Sequence, residues 1–271
     1  MKVCLIQPPY SMDCNKIDEC FREEIRLLSL CPNTVDFIVL PEYSDVLSDT
    51  PNGDEFVKAI EKYSPIIEAE AIKTAQRTGA TVFANFGYKT PKGYRNTTHV
   101  IDKSGKIIGR YFKAHPAPSE IANAKIDTDY AKEKQDVYTV EIDGLTVAFR
   151  TCYDFYFYED IIDITRKKPD IIIGCSYQRT DTHQALEIIN RFLAYNTNAY
   201  LLRSSISLGK DSEVCGCSMV VAPDGSILAN MKNQVGIEIV EFDPSKKYYK
   251  PSGFGGKPSS HPEYVDKGRN N

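Results

Sequence analysis

Three side chains that could carry out covalent catalysis each stand near the end of a short apolar run. Glu42 follows residues 37–40 and Pro41, which cannot donate to a strand ladder and so ends the strand. Lys113 ends another such run, and Cys152 stands where strand-like sequence changes into helical sequence. A carboxyl, an ammonium and a thiol provide a proton carrier, a fixed cation and a nucleophile. Together these residue types could support general acid–base and nucleophilic catalysis.

Each of these residues also has an ordinary structural explanation. Taken alone, Glu42 could be a solvated strand-end carboxylate and Lys113 a solvent-exposed lysine, because charged side chains are mostly exposed. Cys152 alone could be a small buried apolar side chain. The apolar neighbours Leu40 and Tyr43 favour a functional role for Glu42, because a closed pocket would raise the pKa of its carboxyl.

The composition excludes several classes of function. The chain has 271 residues, 42% of them hydrophobic and 26% charged, which suits one large globular domain. Its net charge is −4, and it has no run of five basic residues that would favour binding to nucleic acid. The chain also lacks a signal-peptide pattern and an apolar stretch long enough to span a membrane. These features predict a soluble, cytoplasmic protein.

The cysteines do not indicate a disulfide framework or a metal site. Eight cysteines are spread over the whole chain without a secretory signal, so free thiols are expected. The close pair Cys215 and Cys217 lacks the second pair of ligands that a zinc site needs. If these two residues lie on a strand, both point to the same face and into the core. No metal is predicted.

The elements that must position the reactive residues alternate along the chain. Runs rich in Val, Ile, Phe and Tyr predict strands, and longer stretches of helical period predict helices. The predicted strands are 3–6, 37–40, 81–86, 98–101, 147–149, 171–173, 200–202 and 219–221. The predicted helices are 17–30, 55–78, 159–166 and 182–198. Pro65 predicts a break or a new start within 55–78. Alternating strands and helices indicate an α/β fold.

Turn residues add antiparallel pairs to this pattern. Hairpins are predicted at 102–105, at Asp143-Gly144 and at 223–225, because Asp and Gly between apolar runs favour tight turns. The sheets should therefore be mixed. We divide the chain into a domain over 1–243 and a polar tail over 244–271, which is expected to dock on the domain or on a partner subunit.

The three reactive residues occur in order within recognisable motifs. They stand in Leu40-Pro41-Glu42, Lys113-Ala114-His115 and Cys152-Tyr153-Asp154. In these motifs, and over nearly its whole length, the chain resembles the nitrilase superfamily of carbon–nitrogen hydrolases. The sequence departs from that pattern at 155–159, where the family often has an arginine, and after Cys175-Ser176, where the family often has a proline-containing loop.

The resemblance implies an amidase-like enzyme with an α-β-β-α sandwich of four layers and mixed sheets. It implies that Glu42 moves protons, that Cys152 forms a thioester, and that Lys113 and the backbone N–H of Tyr153 stabilise the oxyanion. Glu120 would be a second, supporting carboxylate. No cofactor is implied, and the expected partner is a second copy of the chain, giving a homodimer or a larger even-numbered assembly in which the tail wraps the partner.

The substrate pocket is expected to favour small neutral or apolar amides. This expectation depends on the aromatic residues that replace arginine after the nucleophile. The predicted substrate-binding residues are Tyr43, Phe155, Tyr156, Ser176, Tyr177 and Arg179. The residues leave three alternatives open: a nitrilase, an acyltransferase that uses the same thioester, or a catalytically silent binding protein on this fold.

Overall fold

The computed structural model describes residues 1–251 and 256–267, which form two β-sheets and six α-helices. The strands are β1 (Lys2–Gln7), β2 (Phe37–Val39), β3 (Thr81–Thr90), β4 (Gly93–Ile101), β5 (Ile107–Phe112), β6 (Thr139–Ile142), β7 (Leu145–Thr151), β8 (Ile171–Cys175), β9 (Tyr200–Ser204), β10 (Met219–Val221), β11 (Ile227–Asn230) and β12 (Gly236–Glu241). The α-helices are α1 (Ile17–Leu30), α2 (Gly53–Thr78), α3 (Pro118–Ala122), α4 (Glu159–Arg166), α5 (His183–Thr197) and α6 (His261–Lys267).

Both sheets are six-stranded and mixed. The first has the order β12-β1-β2-β3-β4-β5 and the second the order β11-β10-β9-β8-β7-β6. Parallel pairing joins β1, β2 and β3 in the first sheet and β7, β8 and β9 in the second. The outer strands pair antiparallel. The three predicted hairpins connect β4 to β5, β6 to β7 and β10 to β11.

The two sheets face each other, and helices cover their outer faces. Alternate residues of the central strands, such as Leu5 and Phe83 in one sheet and Phe149 and Leu202 in the other, form a shared inner core. A second core packs α1 and α2 on the first sheet, and a third packs α4 and α5 on the second. The predicted α-β-β-α sandwich is confirmed.

Helix α2 runs without a break, so the prediction of a break at Pro65 was wrong. Asn52 caps its N-terminus by accepting a hydrogen bond from the N–H of Glu55 at 3.0 Å, and Gly79 ends it with a φ of 71°. Pro65 is exposed, so the carbonyl that loses its intrahelical donor can be solvated. The opposite face, which includes Ile60 and Ile67, is fully buried against the sheet.

Cys215 and Cys217 are buried, but the prediction that they share a strand face was wrong. Both have positive φ, 66° and 59°, as does Gly216 between them at 61°. The segment is therefore a tight left-handed turn before β10. A Cβ on Gly216 would lie 2.0 Å from the carbonyl oxygen of Lys232, so only glycine fits there.

The described part of the tail lies on the second sheet's helices. Tyr248 donates its backbone N–H to the side chain of Asn198 at 2.8 Å, and the ring of His261 lies 3.0 Å from the carbonyl oxygen of Asn196. Helix α6 packs on α4 and α5. No helix among the described residues is both long enough and apolar enough to cross a membrane.

Candidate active site

The reactive residues predicted from the sequence meet at one cavity of about 820 Å³. Glu42 follows β2, Lys113 follows β5, Glu120 lies in α3, and Cys152 follows β7. All four line the cavity. Glu42 reaches it from the first sheet and Cys152 from the second, so the site lies where the ends of the two sheets meet.

Lys113 is held between two buried carboxylates. Its Nζ lies 2.8 Å from Oε1 of Glu42 and 2.7 Å from Oε2 of Glu120. The side chain of Lys113 is only 2% exposed. An ammonium has three donors, and within the described part of the chain these two contacts leave the third open to another acceptor.

Asn96 on β4 joins the same two carboxylates from another side. Its Nδ2 donates to Oε1 of Glu42 at 2.7 Å and to Oε1 of Glu120 at 2.9 Å. Asn85 on β3 donates in turn to Oδ1 of Asn96 at 2.9 Å, which fixes the orientation of the amide. The hydroxyl of Tyr43 also donates to Glu120, at 2.7 Å. The carboxylates are therefore positioned by neutral donors as well as by Lys113.

One carboxylate oxygen is left without such a partner. Oε2 of Glu42 is buried and has no hydrogen-bond partner among the residues that the structure describes. The Glu42 carboxylate is also close enough to the Cys152 thiol for each group to shift the pKa of the other. Since Oε1 already accepts from Lys113 and Asn96, Oε2 is the Glu42 oxygen that, within the described residues, remains open to a further hydrogen-bond donor.

Cys152 stands on a strained turn that Asp154 holds in place. Cys152 has a φ of 44° and begins a 3₁₀ turn, Cys152–Tyr156, directly after β7. Asp154 is buried and accepts hydrogen bonds from the N–H of Thr151 at 2.8 Å and the N–H of His115 at 2.7 Å. Asp154 therefore connects the Cys152 turn to the segment that carries Lys113.

Burial and charge set the protonation states of the site. Burial raises the pKa of Glu42, an effect that Lys113 opposes and Glu120 reinforces. Burial lowers the pKa of Lys113, but Glu120 and Glu42 more than offset this, so its pKa lies well above the ordinary value. Burial also raises the pKa of Glu120, yet Lys113 reverses the shift and holds it below the ordinary value. Burial and the Glu42 carboxylate raise the pKa of the Cys152 thiol well above its ordinary value. The raised pKa favours the protonated thiol form of Cys152 at neutral pH.

Three of the six predicted substrate-binding residues line the cavity. Tyr43, Tyr177 and Arg179 lie on its wall, whereas Phe155, Tyr156 and Ser176 do not. Tyr153 directly follows Cys152, and its ring contacts the rings of Tyr156 and Phe157 outside the cavity.

Phe155, Tyr156 and Ser176 occupy other surroundings. Phe155 packs in the core under α4 and α5, and with Tyr156 it lines a separate, smaller cavity of about 230 Å³. Ser176 is fully buried and accepts a hydrogen bond from Arg203 at 2.6 Å. These positions remove the basis for expecting an apolar substrate pocket from Phe155 and Tyr156.

Comparison with known proteins identifies the family. The family model for carbon-nitrogen hydrolases matches residues 16–247. The chain belongs to the carbon-nitrogen hydrolase family. It is therefore a carbon–nitrogen hydrolase enzyme, and the resemblance to the nitrilase superfamily noted in the sequence is confirmed.

Two curated relatives of this carbon–nitrogen hydrolase match over most of their length. The 2-oxoglutaramate amidase of Bacillus subtilis is 26% identical over 213 residues, which cover 77% of this chain and 78% of the relative. A protein of Pseudomonas protegens described as "Hydrolase in pqqF 5'region" is 25% identical over 198 residues, covering 72% of this chain and 67% of the relative.

Solved structures share the fold at lower identity. A mutant of the amidase from Nesterenkonia sp. AN1, which shows the result of Michael addition of acrylamide at the active-site cysteine, superposes with a TM-score of 0.71 at 14% identity and covers 100% of this chain and 99% of that chain. The C. elegans NitFhit protein gives a TM-score of 0.70 at 18% identity and covers 99% of this chain and 62% of that chain.

Sequence reasoning did not identify Asn96 or the anchoring role of Asp154. The sequence does contain a signal for Asn96. Asn96 precedes the β-branched residues Thr97 and Thr98 in a strand-like segment, and an amide buried in such a strand requires hydrogen-bond partners. Asp154 lies three residues after Thr151, the spacing of a capping side chain. Neither signal reveals which distant residue is contacted.

Proposed function

We propose that this enzyme hydrolyses the carbon–nitrogen bond of a small amide through a thioester on Cys152. The observation that carries the proposal is the cavity in which the Cys152 thiol lies beside the Glu42 carboxylate, whose Oε2 has no partner among the described residues. A thiol with a raised pKa needs a neighbouring base, and Glu42 is that base.

In the first half of the reaction, Oε2 of Glu42 takes the proton of Cys152 as the sulfur attacks the amide carbon. Lys113, through its third N–H, and the backbone N–H of Tyr153 stabilise the oxyanion of the tetrahedral intermediate. Glu42 then gives the proton to the departing nitrogen, the C–N bond breaks, and the acyl group remains on sulfur.

In the second half, water replaces the amine. The water oxygen attacks the thioester carbon while Oε2 of Glu42 accepts a proton from the water. That proton then passes to the Cys152 sulfur as the C–S bond breaks and the acid leaves. Glu120 and Asn96 keep their contacts throughout. Their role is to hold Lys113 and Glu42 at fixed positions.

The test is a panel of amides, carbamoyl compounds and nitriles, with detection of the released nitrogen compound and mass spectrometry of the Cys152 adduct. A thioester mass on the Cys152 peptide with release of ammonia or amine supports the proposal. An acyl product retained on an added amine instead of water would identify an acyltransferase, and turnover without any adduct would contradict the mechanism.

We also propose that the enzyme is a cytoplasmic homodimer that pairs through α4 and α5. The support is a set of apolar side chains exposed on this face among the described residues: Tyr156, Tyr158, Ile162, Ile188 and Phe192. Ile188 and Phe192 are one turn apart on α5 and so share a face. A second copy would remove these side chains from water.

A further inference from the structure

Arg179 lines the cavity that contains Cys152. It lies on the loop after β8, two residues beyond Tyr177, and both residues line the cavity. The backbone of Tyr177 is near enough to Cys152 to affect the pKa of the thiol. The loop that carries Arg179 therefore also contacts the reacting centre.

The guanidinium is fixed along one side only. Its Nη1 donates to the hydroxyl of Tyr10 at 2.8 Å and to Oδ1 of Asp49 at 3.3 Å. The group also lies against the rings of Tyr10 and Tyr177, with its central carbon 5.3 Å and 5.2 Å from their centroids. These contacts hold the plane of the group before any ligand binds.

The other side of the guanidinium is available. Within the described residues, Nε and Nη2 of Arg179 have no hydrogen-bond partner. These two nitrogens form the edge that binds a carboxylate bidentately. The same chain shows that geometry at its surface, where Nε and Nη2 of Arg26 each lie 2.7 Å from an oxygen of Glu23.

The other charges at the mouth of the cavity do not offer an equivalent group. The ammonium of Lys125 is paired with Asp54 at 2.6 Å. Asp49 contacts Arg179 only through Nη1, at the longer distance of 3.3 Å, and so leaves the Nε–Nη2 edge open. A planar anion fits this edge better than an apolar or cationic group, because it would use two aligned donors.

We propose that Arg179 binds a carboxylate of the substrate, so that the preferred substrates are amides that carry a carboxylate elsewhere in the molecule. This inference rests on the proposed amidase function and replaces the expectation of neutral or apolar substrates. The carboxylate could belong to the acyl part, as in the half-amide of a dicarboxylic acid, or to the departing amine, as in an N-carbamoyl amino acid. Both place the same group on Arg179.

The experiment compares kcat/KM for matched anionic and neutral substrates. Succinamate and glutaramate are tested against their methyl esters, and N-carbamoyl-β-alanine is tested against its methyl ester. We expect the wild-type enzyme to prefer one anionic series by at least tenfold, and that series identifies which part of the substrate carries the carboxylate. In Arg179→Gln this preference should fall at least tenfold, whereas in the control Lys125→Gln it should persist.

Two results would overturn the proposal. One is a higher kcat/KM of the wild-type enzyme for the methyl esters than for the anionic substrates, and the other is an equal loss of kcat/KM for anionic substrates and esters in Arg179→Gln. Calorimetric binding to the Cys152→Ala protein separates this proposal from the amidase function, because binding needs no turnover. If Cys152→Ala binds succinamate or N-carbamoyl-β-alanine more tightly than the ester while the wild-type enzyme hydrolyses no amide, the carboxylate site stands and the amidase function fails. If Cys152→Ala binds neither acid more tightly than its ester, the carboxylate site fails.

Discussion

The side-chain amide of Asn96 donates a hydrogen bond of 2.7 Å to Oε1 of Glu42. The same nitrogen donates to Glu120, so one neutral group separates two carboxylates in a buried site. Asn96 and Lys113 together occupy Oε1 of Glu42, and Oε2 has no partner among the residues that the structure describes. In the proposed mechanism, the partners of Oε1 therefore select Oε2 as the atom that moves the proton.

We expect Asn96→Ala to lower kcat about 10- to 100-fold with a smaller change in KM. A hydrogen bond to a charged group contributes roughly 1.5–3 kcal/mol, and here it positions the base and not the substrate. Asn96→Asp should be worse, because it adds a third buried carboxylate beside Glu42. Steady-state kinetics and thermal unfolding test both variants. A wild-type kcat in Asn96→Ala would refute the positioning role.

The assigned catalytic pair predicts loss of turnover without loss of the fold. Cys152→Ala removes the nucleophile, and Glu42→Gln removes the base, so each should reduce kcat below detection while the circular dichroism spectrum stays that of the wild type. The control is Cys14→Ser, at an exposed cysteine outside the cavity, which should keep full activity. Appreciable hydrolysis by Cys152→Ala would sink the assigned mechanism.

Much of this arrangement could be predicted from the sequence, because its signals are local. Helix α1 has the bounds that its sequence predicts, since Phe21, Leu27 and Leu28 repeat at helical spacing. Glu42, Lys113 and Cys152 can be identified because each stands near the end of a predicted strand. These signals need no knowledge of distant contacts.

The remaining features depend on contacts between segments far apart in the sequence. Asn96 reaches Glu42 only through the register of β3 and β4, which pairs Gly87 with Asn96. Phe155 stands three residues after Cys152 in the sequence, yet its ring turns into the core near Gly174. At Pro65, the packing of α2 on the first sheet outweighs a local helix-breaking preference. Strand pairing and tertiary packing determine these three features, and neither can be read from local sequence patterns.

Asp45 predicts a pH dependence of stability that one substitution should remove. Burial raises its pKa from 3.8 to about 6, although it accepts hydrogen bonds from Ser64 at 2.5 Å and from the N–H of Gly87 at 2.8 Å. Between about pH 4 and pH 6 the folded state holds this proton more tightly than the unfolded state. The contribution of Asp45 to the free energy of unfolding therefore falls as the pH rises through that range, by up to about 3 kcal/mol.

Urea unfolding of Asp45→Asn and the wild type at pH 4.5, 5.5 and 7 measures this contribution. The stability of the variant relative to the wild type should increase with pH up to about 6 and then level off, because asparagine does not titrate. Asp211→Asn, at an exposed position, should show no such trend. A constant difference between Asp45→Asn and wild type across this range would contradict the assignment.

The proposed dimer predicts that one charge on α5 separates the subunits. Phe192 is 51% exposed, and Phe192→Asp would place a carboxylate at the centre of the apolar face. We expect a dimer for the wild type and a monomer for this variant in light scattering coupled to gel filtration. Leu228→Asp, at an exposed leucine of β11 away from this face, is the control and should remain dimeric. A monomeric wild type at micromolar concentration would rule out the interface.

Substitution of Arg203, which does not line the cavity, should cause a large loss of stability. Its fully buried guanidinium donates to the carbonyls of Gly216 at 2.7 Å and Cys217 at 2.6 Å, and to the side chains of Ser176 at 2.6 Å and Gln178 at 3.2 Å. No carboxylate pairs with it among the described residues. Neutral acceptors from two separate segments therefore stabilise the charge.

Replacing this side chain should leave those acceptors buried and unsatisfied. Because each such group costs about 1–3 kcal/mol, Arg203→Met should lower the free energy of unfolding by more than about 2 kcal/mol, and Arg203→Lys, which lacks the forked geometry, should also destabilise. The matched control is Arg191→Met, since Arg191 is exposed and makes a single bond of 2.8 Å to the carbonyl of Gly225. Urea unfolding measures all three variants. An Arg203 variant that unfolds like the wild type would show that the Gly216–Cys217 turn and the Ser176–Gln178 loop hold their positions without Arg203.

The substitution should also affect catalysis. Because Ser176 and Gln178 flank Tyr177 on the cavity wall, Arg203→Lys should raise KM more than it lowers kcat.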